Sequence, residues 1–191
     1  MGKERMTAFT DGVIAVIITI MALDLKAPES ADWSSLDKLL PTFLSYVLSF
    51  LYVAIYWNNH HHLLAVCERV SGAVLWANMH LLFWLSLIPF TTAWLAQNHF
   101  EPVPTLLYGV SLFAPALAYA ILARTLISVQ GRESVLANAL GSGVKEIVSL
   151  ALYVFGAAFA LCEPIVSLAT YVAVALLWLV PDRRIERTMA R

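Results

Sequence analysis

Arg5-Met-Thr-Ala-Phe-Thr-Asp11 runs without a break into Gly12-Val-Ile-Ala-Val-Ile-Ile-Thr-Ile-Met-Ala-Leu23. A carboxylate one turn inside a membrane-length apolar helix is costly, so Asp11 demands a partner or a function. The pattern repeats down the chain. Leu39–Cys67, Val70–Phe100 and Pro102–Ala123 contain no Asp, Glu, Lys or Arg, and each exceeds the ~20 residues a spanning helix needs. Ile147–Cys162 and Pro164–Pro181 are shorter, at 16 and 18 residues, within the tolerance for a tilted or thinly flanked span.

The reading is an all-α membrane protein: one six-helix domain over 1–191, with spans at about 5–26, 37–67, 70–97, 103–128, 144–162 and 164–181. The bulk composition agrees. The chain is 60% hydrophobic and 13% charged, against about 25% charged in soluble domains, too little to cover a water-facing surface. Lys3 and Arg5 resemble the basic start of a signal peptide. Glu4, Asp11 and Asp24 interrupt that pattern, so the first segment is read as retained.

Six spans put both termini on one side, together with ten of the twelve Lys and Arg residues; only Lys26 and Lys38 fall opposite. The positive-inside rule makes that side cytoplasmic. A net charge of −1 points to no nucleic-acid partner. Cys67 and Cys162 fall at opposite membrane faces and cannot pair. Val135, Leu136 and Leu140 suggest a short interfacial helix in the 129–143 linker, and Asp182–Arg191 reads as a solvated or headgroup-level tail.

The unusual polar residues share one depth. Arg5 to Asp11 open the first helix. His60 and His61 lie near the inner end of the second, and Trp76, Asn78 and His80 rise along the third. Buried polar groups need partners, so a network joining Arg5, Asp11, a helix-two histidine (His60 or His61) and Asn78 is expected, with Phe9, Thr10 and Trp76 assigned to the same cluster. A metal site is the competing reading. Adjacent histidines point 100° apart on a helix and cannot close on one ion; only His61 with Asp11 and His80 could, across helices. Proton sensing through the histidines stays open.

From Gly12, residues Val16, Thr19, Ile20, Leu23 and Ala27 share one helical face, with Asp11 about 140° from Val16. In a lone subunit that stripe meets lipid or core; in a symmetric oligomer it lines an axis. Asp24, about 80° off Val16, is either an outer-mouth acid or a headgroup-level partner of Lys26 or Lys38. Pro89, Pro115 and the tryptophans at 33, 57, 84, 94 and 178 read as kinks, belt anchors and packing.

The spacing Arg5-x-x-x-Phe9-Thr10-Asp11 resembles the signature opening the first helix of the endolysosomal and bacterial potassium-channel family, the transmembrane protein 175 family. Trp57-x-x-His60-His61, Trp76-x-Asn78 and Ser86-Leu-Ile-Pro89-Phe90 look like its other recurrent features. Thr10 replaces the usual serine and keeps the hydroxyl; His62 stands where a basic residue is usual. The likeness is strong over the first half of the chain and rests on hydropathy and length over the second.

That resemblance implies a homotetramer of six-helix subunits in a bacterial plasma membrane, with the first helices around a central potassium pathway and no cofactor beyond the permeant ion. By offset from Asp11, Val16, Ile20 and Leu23 become the constricting rings and Thr19 a hydroxyl ring between them. Val16 is smaller than the family's usual isoleucine, which loosens the innermost constriction. The Thr-Val-Gly-Tyr-Gly filter of ordinary potassium channels is absent from the sequence. The rival is a proton- or cation-coupled transporter using Asp11 and the histidines; against it, no inverted repeat is visible. No Ser-His-Asp set, His-Glu-x-x-His or phosphate-binding loop suggests an enzyme.

Overall fold

The computed structural model describes residues 2–28, 30–67, 69–131, 134 and 143–179. Its helices are α1 (Lys3–Leu23), α2 (Trp33–Asp37), α3 (Leu40–Ala65), α4 (Gly72–Ser86), α5 (Ile88–Gln97), α6 (Pro102–Gln130), α7 (Val144–Phe159) and α8 (Pro164–Leu179). Among the described residues four segments are long and apolar enough to cross a membrane: Lys3–Leu23, Leu40–Ala65, Gly72–Gln97 (α4 and α5 together) and Pro102–Gln130. At 1.5 Å per residue, the 16-residue α7 and α8 reach only about 24 Å, short of the ~30 Å hydrocarbon core.

Local chemistry sets the boundaries. Asp32 caps α2 by accepting the Ser35 amide at 2.8 Å, and Pro41 then sits in the first turn of α3, where its missing N–H costs nothing. The second helix thus begins at Leu40 rather than at 37, after a separate capped turn. Ser71 caps α4 through the Val74 amide at 3.3 Å. The third span is interrupted at Leu87, two residues before Pro89, which lacks an amide donor and crowds the carbonyl four residues back. Pro115, by contrast, lies inside an unbroken α6. Gly131, at φ +99°, closes that helix in a conformation side chains avoid. The 135–142 part of the linker and the tail from 180 onward lie outside the described residues.

Two cores hold the bundle. One joins α1, α3, α4 and α6 through Met6, Ile14, Ile17, Met21, Val53, Leu81 and Leu122. The second joins α3, α5, α6, α7 and α8 around Tyr52, Tyr108, Tyr153 and Tyr171. Hydroxyls tie the helices where apolar burial alone gives little orientation in lipid. Ser49 Oγ lies 2.7 Å from Thr92 Oγ1 and 2.9 Å from Tyr108 Oη; Ser167 donates to the Gly156 carbonyl at 2.6 Å. Cys67 is buried, Cys162 is exposed, and the two are not joined in a disulfide.

Candidate functional site

The buried residues of α1 are Met6, Thr10, Ile14, Ile17 and Met21. On a 100° step they fall within about 40° of Thr10. Thr10 is fully buried, and its Oγ1 accepts the Asn78 amide N–H at 2.9 Å. Asn78 Oδ1 in turn lies 2.8 Å from His60 Nε2. All three side chains are buried, so this relay satisfies groups that would otherwise be stranded. It also pins the rotation of α1 against α3 and α4.

Asp11, one residue on, is turned 100° away and is exposed. Its Oδ1 accepts the Trp57 indole N–H at 2.9 Å, and the Trp57 ring stacks on His61 with centroids 6.0 Å apart. Trp57, read from the sequence as an anchor or packing residue, is therefore the partner of the carboxylate. Its spacing three residues before His60 is the signal that could have identified it.

The expected network differs in its membership. Thr10, His60 and Asn78 meet as expected, whereas Arg5 is exposed and holds no ion pair with Asp11 among the described residues. The reason is angular: six residues turn the helix by 600°, which leaves Arg5 and Asp11 about 120° apart. Eleven residues from Arg5 to Val16 leave only about 20°, so Arg5 extends the Val16 face instead. Phe9 and Trp76 are also outside the relay, 48% and 78% exposed. His80 accepts the Trp84 indole N–H at 2.9 Å, so it does not approach His61 and Asp11 as a metal set would require. Among the described residues no three His, Cys, Asp or Glu side chains converge for a metal.

Opposite the buried face, Gly12, Val16, Thr19, Ile20 and Leu23 are uncovered. Val16 is 55%, Ile20 47% and Leu23 77% exposed, an apolar stripe the subunit itself does not use. Thr19, exposed, donates its hydroxyl proton to the Val16 carbonyl at 2.9 Å and keeps its oxygen lone pairs to accept. A groove of about 590 Å³ runs beside the stripe, between Ala8–Ile20 of α1 and Ser86 and Pro89 at the α4–α5 break. Asp24 is exposed at the C-cap of α1.

Comparison with known proteins agrees in sequence and in shape. A family model described as the endosomal/lysosomal potassium channel TMEM175 matches residues 5–89. Over 189 residues the chain is 49% identical to a protein named as a potassium channel from Chryseobacterium sp. (strain P1-3), covering 99% of this chain and 98% of that one. A second, from Streptomyces collinus (strain DSM 40733 / Tue 365), is 34% identical over 126 residues, covering 62% of this chain and 61% of that protein. The crystal structure of a lysosomal potassium-selective channel TMEM175 homolog from Chamaesiphon minutus aligns with a TM-score of 0.82 at 25% identity. That alignment covers 95% of this chain and 97% of that one.

Proposed function

The chain belongs to the TMEM175 family, and on that premise we propose that it is a passive potassium-conducting channel whose pore is lined by α1. The observation that carries this reading is the uncovered stripe of Gly12, Val16, Thr19, Ile20 and Leu23, held opposite the buried Thr10–Asn78–His60 relay. An apolar stripe alone suits lipid. Its interruption by an outward hydroxyl oxygen on the same face suits a water-filled axis better.

Four subunits around that axis stack rings of Val16, Ile20 and Leu23, with four Thr19 oxygens between them. Apolar rings admit no fixed charge, so an ion passes only by shedding part of its water. Potassium sheds it more cheaply than sodium. The Thr19 oxygens replace some of what is lost. Few fixed ligands give a modest preference for potassium rather than an extreme one. The relay's task is orientation: if α1 rotated by one residue, every ring would turn by 100°.

In this reading α7 and α8 complete six spans, these two short helices being met by local thinning of the bilayer, and both termini face the cytoplasm under the positive-inside rule. The Asp24 ring at the outer end concentrates cations. The test is cation flux into liposomes holding the purified protein, under potassium and then sodium gradients, with Ile20→Asn beside wild type. Potassium flux above sodium flux, with conductance or selectivity changed in the variant, supports the pore on α1. Flux that saturates and requires a second ion or a proton moves the assignment to a coupled transporter through Asp11 and the histidines.

A further inference from the structure

A second cavity lies away from α1, inside the subunit between α3, α6, α7 and α8. It is lined by ten residues, five of them aromatic: Tyr52, Tyr56, Tyr119, Tyr153 and Trp178. Glu146, in the first turn of α7, is its one charged lining residue among the described residues. We infer that this pocket binds a small organic ammonium ion, its charge on Glu146 and its methyl groups against the tyrosine rings.

The argument begins with what the protein leaves unsatisfied. Glu146 Oε2 is buried and has no hydrogen-bond partner among the described residues. A buried carboxylate oxygen without a partner is costly, so the pocket calls for a cation or a donor. Three of the lining hydroxyl protons are committed elsewhere. Tyr52 donates to the Tyr171 carbonyl at 2.6 Å, Tyr119 to the Asn59 carbonyl at 3.2 Å and Ser149 to the Lys145 carbonyl at 2.8 Å. The amide of Asn59 is likewise turned onto the Ile55 carbonyl at 2.8 Å.

What remains is one charge, the Tyr56 hydroxyl and aromatic walls. The rings form two pairs, Tyr52–Tyr153 with centroids 6.3 Å apart and Tyr56–Tyr119 at 6.2 Å. A metal cation entering here would exchange six or more water oxygens for too few ligands. An alkylammonium ion has less hydration to lose, and aromatic faces attract it directly. The Trp178 wall already carries such a charge: the Lys145 ammonium lies 4.7 Å above its ring centroid. The volume, about 30 Å³, has room for about two waters in the same measure, which sets the ligand at a few heavy atoms. So small a ligand binds in the millimolar range at best.

The experiment is saturation-transfer NMR on the full chain in detergent, observing the methyl protons of dimethylammonium. The expected result is transfer in wild type, at least about fivefold weaker in Glu146→Gln, unchanged in Ile20→Asn, and resistant to equimolar potassium chloride. The neutral isostere 2-propanol gives much less. No transfer in wild type overturns the inference, as does undiminished transfer in Glu146→Gln or loss in Ile20→Asn. Displacement by equimolar potassium makes the site one for inorganic cations, and equal transfer from 2-propanol makes it a neutral pocket; either also overturns it. Should Glu146→Gln fail to fold, the wild-type comparisons with 2-propanol and potassium decide alone. The channel reading is independent of all these outcomes.

Discussion

Asn78 donates its amide N–H to Thr10 Oγ1 at 2.9 Å, a hydrogen bond between residues 68 apart in sequence that sets the azimuth of α1. Its other amide atom meets His60 Nε2 at 2.8 Å. Asn78→Ala therefore strands two buried groups on two other helices. The expected cost is about 1–3 kcal/mol, read as a lowered unfolding temperature in detergent. Asn78→Asp keeps the shape but has no amide N–H for Thr10, and is expected to be destabilising as well. A neutral Asn78→Ala would show that the relay does not hold α1.

Tyr171 threads between two glycines. A Cβ on Gly109 would sit 2.0 Å from Tyr171 Oη, and one on Gly156 2.6 Å from its Cε1. Because both sides are closed, the ring cannot swing away from either without meeting the other. Gly109→Ala is expected to cost about 1–3 kcal/mol by overpacking. Adding Tyr171→Phe removes the nearest clashing atom and recovers part of the loss in a double-mutant cycle. Purely additive effects would place the strain elsewhere.

Lys3 reaches across from α1 to the end of α3, donating to the Cys67 carbonyl at 2.8 Å and the Ala65 carbonyl at 3.2 Å. A cation at a helix C-terminus is worth about 0.3–1 kcal/mol. Lys3→Met is expected to speed amide exchange over the last turn of α3 while hardly moving the global unfolding temperature. Lys3→Arg keeps protection close to wild type. Equal protection in all three proteins would make the contact incidental.

Hydropathy is local, so the long helices were legible from charge-free blocks, and Pro89 announced the break at Leu87. That Pro115 leaves α6 unbroken was not legible, since the same residue type carries the same sequence signal in both places. The pairing of polar residues depends on rotation as well as depth. Depth was readable, and it put Asn78 beside His60. The 100° step separating Thr10 from Asp11 decided which of them is buried, and it is Thr10 that joins the relay, while Asp11 takes the Trp57 indole. The tyrosine pocket was invisible for a different reason. Its five aromatics come from four helices, and each alone reads as an ordinary apolar-span residue.

Asp32 offers a titration in water. Hydrogen bonds from Ser34, then Ser30 and Ser35, lower its carboxyl from 3.8 to about 2. A depressed folded pKa means the α2 cap is fully present above about 3.8 and is lost as pH falls through about 2. NMR titration of the Asp32 carboxyl carbon should give that low midpoint, and Ser34→Ala should raise it. A midpoint at the ordinary carboxylate value would mean the serine ring around Asp32 does not persist in solution.

Thr19 is the sharpest test of the pore. Thr19→Val is nearly isosteric and removes only the hydroxyl, whose proton already goes to the Val16 carbonyl at 2.9 Å. Helix stability should therefore change little, while in the proposed tetramer four oxygens leave the pathway. The expected effect is a loss of potassium flux of about three- to tenfold, or roughly 0.6–1.4 kcal/mol on the limiting step. Thr19→Ser restores the oxygen and should recover most of the flux. If lipid rather than an axis covers the stripe, Thr19→Val conducts like wild type. Recovery by serine, read against the loss in the isosteric valine, points to the oxygen as what faces the permeating ion.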